Sequence, residues 1–270
     1  MGRVTPPLPS LPRRPLTMGE LLDAAVQLLR GRTGLWLLAT AAGLAIAEQA
    51  LLYVLRTALG IDITAGFWDS AGSQFMVLVA GVGLEAMIIN LLGPQAGRAA
   101  GIAVETEPYK GRLPWERALV TAPVAGLVTT ITAFFGPLWL LGYNLFGVSG
   151  AAIGLERRGP FQALGRGARL AFRGGMRVTW VRLLGYLSWL MLRLAFFLGL
   201  SSLIALFSLG DFTGFWVRTA GFAIVNTATY AYLAALDACA LVESRFRSEA
   251  WDIWLNRSER PAVKAVKAAR

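Results

Sequence analysis

The sequence predicts an all-α, polytopic membrane protein with six transmembrane helices and amphipathic interfacial helices on the cytoplasmic side. Of the 270 residues, 56% are hydrophobic and 16% are charged, whereas about a quarter of the residues of an ordinary soluble domain are charged. Several apolar runs are long enough to cross a hydrocarbon core of about 30 Å. Most of the basic residues lie in the segments between these runs, which is typical of loops on one side of a membrane.

The amino-terminal part, residues 1–33, is interpreted as a cytoplasmic tail followed by an interfacial helix. Thr17 and Glu20 have the spacing of a capping box, in which each residue caps the backbone of the other. Apolar residues at helical spacing follow, and acidic and amide side chains occupy the opposite face of the same helix. The pattern therefore predicts a surface helix over about residues 18–31, before the first span.

The transmembrane bundle is predicted over residues 34–242. Its third and fourth spans come from residues 118–155, which contain 38 residues without one charge, too many for one crossing and suited to two of about 19 residues each. Gly136 and Pro137 lie at the midpoint of this run and favour a turn between two helices. The six predicted spans cover about residues 34–55, 74–97, 118–135, 138–155, 178–206 and 217–242.

The carboxyl-terminal part, residues 243–270, is interpreted as an interfacial helix over about 243–256 and a basic tail. With six spans, 23 of the 26 Lys and Arg residues fall on one side of the membrane. Cytoplasmic loops carry an excess of these residues, so both termini are predicted to be cytoplasmic, in the plasma membrane of a bacterium. Nucleic-acid binding is not expected, because the basic residues flank apolar runs and do not form one soluble face.

A basic amphipathic segment lies between the two hydrophobic halves, and it predicts a third interfacial helix over residues 160–176. Its arginines recur every three or four residues, and its larger apolar residues form a second stripe on the opposite side. Such a helix lies flat in the headgroup layer of an anionic leaflet. The residues predicted to bind lipid headgroups are Arg166, Arg169, Arg173 and Arg177, and the residues predicted to face the acyl chains are Phe161, Leu164, Ala168 and Phe172.

Three charged residues within the spans predict an intramembrane polar layer. Glu48, Glu85 and Arg193 each lie about 20 Å along their helices from the cytoplasmic side. Charged groups in a bilayer are costly, so these residues are expected to meet. Two interpretations stay open: a structural ion pair that fixes helix register, or a polar path for an ion, a proton or a lipid headgroup.

Two further charged residues are expected near the membrane surface. Arg182 lies near the start of its span, so its side chain is predicted to extend to the interface. Asp237 lies six residues before Glu243, close to the predicted end of the last span. Neither residue is expected to belong to the polar layer.

The residue types exclude several classes of catalytic chemistry. The chain has no histidine and one cysteine, Cys239, and it contains no phosphate-binding glycine loop that ends in Lys and Ser or Thr. Ser149 lies in a Gly-Val-Ser-Gly sequence similar to the nucleophile motif of rhomboid intramembrane proteases, but no imidazole is present to activate it. We therefore expect no enzyme activity, no metal and no cofactor. The small residues around Ser149 are expected to allow close packing of helices.

Three stretches together are similar to one family. They are Arg14 to Arg30 before span one, Gly154 to Arg166 after span four, and Val242 to Asp252 after span six. This chain resembles the membrane domain attached to some glycerophosphoryl diester phosphodiesterases, and the stand-alone bacterial membrane proteins built like it. The resemblance implies a polytopic helical domain with no established chemistry of its own. The phosphodiesterase activity of that family belongs to a separate soluble barrel domain, whose sequence is not among these 270 residues.

These observations predict a non-enzymatic integral membrane scaffold or accessory subunit. Its expected partners are membrane lipids, preferentially anionic, and a membrane protein partner or a second copy of the chain. A permease or lipid-transport component that uses Glu48, Glu85 and Arg193 is the alternative hypothesis.

Overall fold

The computed structural model describes residues 11–12, 14–62, 70–104, 112–172 and 176–249, and within these ranges it contains helices and no strands. A short 3₁₀ turn, Gly136–Leu138, joins two of the helices. The α-helices are α1 (Met18–Arg30), α2 (Arg32–Ala58), α3 (Ala71–Ala103), α4 (Trp115–Ala133), α5 (Trp139–Phe146), α6 (Ser149–Glu156), α7 (Pro160–Phe172), α8 (Arg177–Leu206) and α9 (Asp211–Ser248). The predicted all-α fold class is confirmed for this part of the chain.

Helix α1 begins with the predicted capping box. The backbone N–H of Thr17 donates to Oε2 of Glu20 at 2.7 Å, and the N–H of Glu20 donates to Oγ1 of Thr17 at 3.3 Å. Arg14 also donates to Oε1 of Glu20, at 2.5 Å. The hydrogen bond from Arg14 has the largest effect on the Glu20 carboxyl. Together with the bonds to Thr17, it lowers the pKa of Glu20 to about 2. The start of α1 is therefore fixed by its own sequence.

Among the described residues, five helical segments are long and apolar enough to cross a membrane, as expected for a multi-pass membrane protein. The 19-residue helix α4, the predicted third span, is not among them, and Glu116 and Arg117 occupy its first turn. The predicted fourth span is not one regular helix but the 3₁₀ turn followed by α5 and α6. The five segments are Arg32–Ala58, Ala71–Ala103, Gly136–Glu156, Arg177–Leu206 and Asp211–Ser248.

The helices form one bundle with α3 and α9 at its centre, since α3 packs on α2, α4, α6 and α9, and α9 also packs on α1, α2 and α8. Hydrogen bonds join the helix ends at one side. The N–H of Leu11 donates to the carbonyl of Ala103 at 2.9 Å, and Arg177 donates to the carbonyl of Leu16 at 2.6 Å. We call this side the basic end: α2, α4 and α8 begin there, and α3, α6 and α9 end there.

Glycines bring α3 and α6 into backbone contact. A Cβ atom on Gly93 would meet the backbone of Gly150, and a Cβ atom on Gly150 would meet the carbonyl oxygen of Asn90. Gly97 and Gly154 are equally close to the facing helix. The expectation that small residues around Ser149 allow close helix packing is confirmed.

Two of the predicted interfacial helices have other boundaries in the structure. The segment 243–248 continues α9 instead of forming a surface helix, and Glu243 within it is 2% exposed. The remainder of the predicted helix, 250–256, lies outside the described residues. The central amphipathic helix ends at Phe172, and Arg177 begins α8, so Arg177 does not extend the arginine stripe of α7.

Candidate functional site

The structure brings Arg193 and Glu85 of the predicted polar layer into contact. Nη1 of Arg193 lies 2.8 Å from Oε1 and 3.0 Å from Oε2 of Glu85, across the space between α8 and α3. The hydroxyl of Tyr186 also donates to Oε2 of Glu85, at 2.9 Å. The two charged side chains are 11% and 7% exposed. They form a paired, largely buried site in the middle of the bundle.

Glu48 joins this layer through Tyr230 and not through a direct ion pair. The hydroxyl of Tyr230 donates to Oε2 of Glu48 at 2.6 Å, and the amide of Asn226 donates to the same oxygen at 3.1 Å. The Arg193 guanidinium lies 5.4 Å from the centroid of the Tyr230 ring. Tyr230 therefore stands between the acid of α2 and the Arg193–Glu85 pair, and it contacts both.

A second buried ion pair, Arg182 with Asp237, lies nearer the basic end. Nε and Nη2 of Arg182 donate to the two oxygens of Asp237 at 2.6 and 3.4 Å, and Nη1 donates to the carbonyl of Tyr143 at 2.8 Å. The guanidinium also lies 4.2 Å from the centroid of the Tyr143 ring. The side chains of Arg182 and Asp237 are 1% and 3% exposed.

The expected extension of the Arg182 side chain to the interface was therefore wrong, because this side chain is buried in the bundle. Helix α9 continues to Ser248, so Asp237 lies about 16 Å from the end of this helix, and its side chain is buried in the bundle as well. Arg182 turns inward because the bundle offers it a carboxylate, a carbonyl and an aromatic ring. Gly147 packs directly on Arg182, because a Cβ atom added at this glycine would meet the guanidinium group.

Polar side chains also satisfy the helix break between α5 and α6. The amide of Asn90 donates to the carbonyl of Phe146 at 3.0 Å and to Oγ of Ser149 at 2.7 Å. Ser149 itself donates to the same Phe146 carbonyl at 2.6 Å, and Thr121 donates to Oδ1 of Asn90 at 3.0 Å. Ser149 is fully buried within these contacts. The arrangement gives its hydroxyl a structural role at the break.

An ionic cluster lies at the basic end between α6, α7 and α9. Arg166 of α7 pairs with Glu249 and lies 3.1 Å from Oε1 of Glu156. Arg158 also pairs with Glu156, and Arg245 lies 3.9 Å from Glu156 and 3.5 Å from Glu249. Two carboxylates thus share three guanidinium groups.

The four arginines predicted to bind lipid headgroups lie in different environments. Arg166 is 6% exposed and paired with Glu156 and Glu249, so it does not face a headgroup layer as expected, because it lies on the side of α7 that packs on the bundle. Arg177 lies 3.3 Å from Oε1 of Glu243. Arg169 is exposed, and Arg173 lies outside the described residues. Among the described arginines of this set, Arg169 lies on an outward face of the helix, as predicted.

The outward face of α7 combines apolar and basic groups. Phe161 and Phe172, one near each end of the helix, are 80% and 66% exposed, and Arg169 is exposed between them. Leu164 of the predicted apolar stripe is buried against the bundle instead. The exposed face has the composition of a helix that lies in a membrane interface.

These sites contain ion pairs, hydroxyls and amides, and they lack the ligand sets of the common metal centres. Within the described ranges, no group of three or more His, Cys, Asp or Glu side chains is placed to hold a metal ion. Cys239 is buried and free. The family resemblance stays a prediction. Comparison of the chain with protein-family models, with curated proteins and with solved structures gave no match.

Proposed function

We propose that this chain is a non-enzymatic scaffold or accessory subunit of a bacterial plasma membrane, which binds anionic lipid and a partner protein. In this proposal the chain crosses the bilayer six times, with α4 as the additional span and both termini in the cytoplasm. The basic end then faces the cytoplasmic leaflet, where anionic headgroups attract Lys and Arg side chains.

The observation that carries the proposal is the outward face of α7. Phe161 and Phe172 offer one aromatic anchor near each end of the helix, and Arg169 lies between them in the sequence and is exposed. Aromatic rings bury themselves at the boundary of headgroups and acyl chains, while a guanidinium binds lipid phosphate. No enclosed reaction chamber is needed for this role.

The paired interior of the bundle supports a scaffold more than a catalyst. Arg182 is bound to Asp237, and Arg193 is bound to Glu85, so each buried cation already has a carboxylate partner. Buried ion pairs of this kind fix helix register at the cost of desolvation. At the basic end, Arg177 links α8 to Glu243 of α9 and to the segment before α1. A rigid set of helix ends suits the docking of a partner.

Lipid selectivity tests this function. The protein is reconstituted in bilayers of phosphatidylcholine and phosphatidylglycerol. It is then released from the bilayer, and native mass spectrometry identifies the lipid that it retains. We expect the wild type to retain the anionic lipid preferentially. Arg169→Gln should lower this preference about fivefold, because the anionic leaflet contributes about 1 kcal/mol per nearby Arg.

The matched control is Arg218→Gln in α9, which removes the same charge at the opposite end of the bundle. It should leave the selectivity unchanged. Equal retention of both lipids by the wild type, or equal effects of the two variants, would contradict lipid binding at the basic end.

A second candidate, a permease or lipid-transport component, has one observation in its favour. Nε and Nη2 of Arg193 and the hydroxyl of Tyr143 are buried without a hydrogen-bond partner. Buried donors without partners often mark places that hold water or ligand. Transport through the layer of Glu48, Glu85 and Arg193 would use these groups, and the closed Arg193–Glu85 pair would have to open.

A further inference from the structure

The carboxyl group of Glu48 receives both of its hydrogen bonds on one oxygen. The Tyr230 hydroxyl donates to Oε2 at 2.6 Å, and the Asn226 amide donates to the same atom at 3.1 Å. From the residues that the structure describes, Oε1 receives no hydrogen bond. A carbonyl oxygen has two lone pairs and can accept two such bonds. The pattern matches a neutral carboxylic acid, with Oε2 as the carbonyl oxygen and the proton on Oε1.

Glu85, in the same polar layer, is bound in the way expected for an ionised carboxylate. Nη1 of Arg193 lies 2.8 Å from one of its oxygens and 3.0 Å from the other, and the Tyr186 hydroxyl donates to the second oxygen. An ionised carboxylate accepts hydrogen bonds at both oxygens, and the bonds from a guanidinium are among the strong ones. The two glutamates therefore differ as a charged acid differs from a neutral one.

The charges of the polar layer support this difference. Glu48 is 3% exposed, and its two hydrogen-bond donors are a phenol and an amide, which are uncharged. Among the described residues, the charged side chains that face it are Glu85 of α3 and Arg193 of α8, which are paired with each other. If both acids were ionised, one negative charge would stay unpaired inside the membrane. That is far more costly than one hydroxyl without an acceptor.

The unused donors of Arg193 point to the same assignment. Nε and Nη2 of its guanidinium are buried without a hydrogen-bond partner in the described part of the chain. The guanidinium lies 5.4 Å from the centroid of the Tyr230 ring, and the hydroxyl of that tyrosine reaches Glu48. An ionised Glu48 would attract these donors, because charge-assisted hydrogen bonds are stronger than neutral ones. A neutral Glu48 leaves Arg193 paired with Glu85, as observed.

A proton suits this site better than a metal ion does. Hard cations such as Ca²⁺ and Mg²⁺ bind several oxygen ligands at once. Glu48 has one unused oxygen, and within the described ranges no group of three or more His, Cys, Asp or Glu side chains is placed to hold a metal ion. A proton needs that one oxygen alone.

We propose that Glu48 is a proton-binding site inside the bundle, with the proton on Oε1 and with Tyr230 and Asn226 bound to the carbonyl oxygen. The ligand is a single proton that exchanges with water, and its binding makes the polar layer electrically neutral. Its release would leave two carboxylates to share Arg193. The site goes beyond the scaffold function and does not depend on it, because lipid binding was assigned to the outward face of α7.

Infrared spectroscopy of the full chain tests the site. The protein is reconstituted in bilayers of ether-linked lipids, which have no carbonyl group of their own. A protonated carboxylic acid has a carbonyl stretching band that ionised carboxylates lack. We expect this band in the wild type at neutral pH and its loss in Glu48→Gln. Transfer to heavy water should shift the band, because deuterium replaces the bound proton.

Two matched variants complete the experiment. Glu116→Gln removes an exposed carboxyl group of α4 and should keep the band of the wild type. Glu85→Gln removes the partner of a buried guanidinium and should lower the thermal midpoint. Glu48→Gln should leave the midpoint unchanged, because its amide oxygen accepts the same two hydrogen bonds as a neutral acid.

Each contrary outcome overturns the proposal. Absence of the band from the wild type, or an equal band in Glu48→Gln, would show that Glu48 holds no proton. A band that does not shift in heavy water would show a locked group instead of a bound ligand. Equal losses of thermal stability in Glu48→Gln and Glu85→Gln would show that both acids are ionised. None of these results involves Arg169, so lipid selectivity stays a separate test of the proposed function.

Discussion

Replacing Arg182 by Met should lower the free energy of unfolding by about 3–5 kcal/mol, because it leaves Asp237 charged and unpaired inside the bundle. Arg182 also supplies donors to the Tyr143 carbonyl and contacts the ring of that tyrosine. These bonds hold α5, α8 and α9 together next to the helix break. Reversible unfolding in mixed detergent, followed by tryptophan fluorescence, measures the change.

A double variant distinguishes a buried charge from a general packing defect. Arg182→Met together with Asp237→Leu removes both charges, and it should recover most of the lost stability, since apolar replacements of buried pairs are often neutral. Arg30→Met at the exposed end of α1 should change the stability by less than about 0.5 kcal/mol. A single Arg182→Met variant as stable as the wild type would contradict the buried pair.

Gly93→Leu should produce the second large effect, a loss of about 3 kcal/mol or more. A side chain at Gly93 would meet the backbone of Gly150 and Ala151, which cannot rotate away. The helices α3 and α6 would have to separate, and the hydrogen bonds of Asn90 to Phe146 and Ser149 would be broken with them. The same unfolding measurement and the folded fraction on size-exclusion chromatography report this change.

Gly43→Leu is the matched control for the helix crossing. Gly43 lies in the interior of α2 and is exposed, and a Cβ atom added there would have no neighbour within 4 Å. The substitution there should be neutral or stabilising by up to about 1 kcal/mol, because leucine favours a helix more than glycine does. Equal effects at Gly43 and Gly93 would contradict the close crossing of α3 and α6.

Much of the fold could be predicted because a bilayer imposes simple rules on length and hydropathy. The capping box of α1 follows from Thr17 and Glu20 alone, and the long apolar runs correspond to the five long apolar segments of the bundle. The contact between Glu85 and Arg193 could also be predicted, since a rise of about 1.5 Å per residue places both at a similar distance along their helices from the basic segments.

Features that depend on neighbouring helices could not be predicted. The period of α7 reveals two stripes, but packing in the bundle buries one residue of each, Arg166 and Leu164, and leaves Arg169 exposed. Arg182 is long enough to reach either the interface or the interior, and the choice depends on Asp237 and Tyr143 in other helices. The ionic cluster at the basic end combines residues of α6, α7 and α9, so no single stretch of sequence indicates it.

Native mass spectrometry of the protein, extracted gently from its own membrane, tests the central claim most directly. A scaffold or accessory subunit should retain anionic lipid together with a partner polypeptide or a second copy of the chain, and Arg169→Gln should weaken the retention of lipid. A lone chain would contradict the account. If that lone chain carried a lipid that is lost in Arg193→Lys and kept in Arg169→Gln, the intramembrane layer would be the binding site, and transport would replace the scaffold as the function.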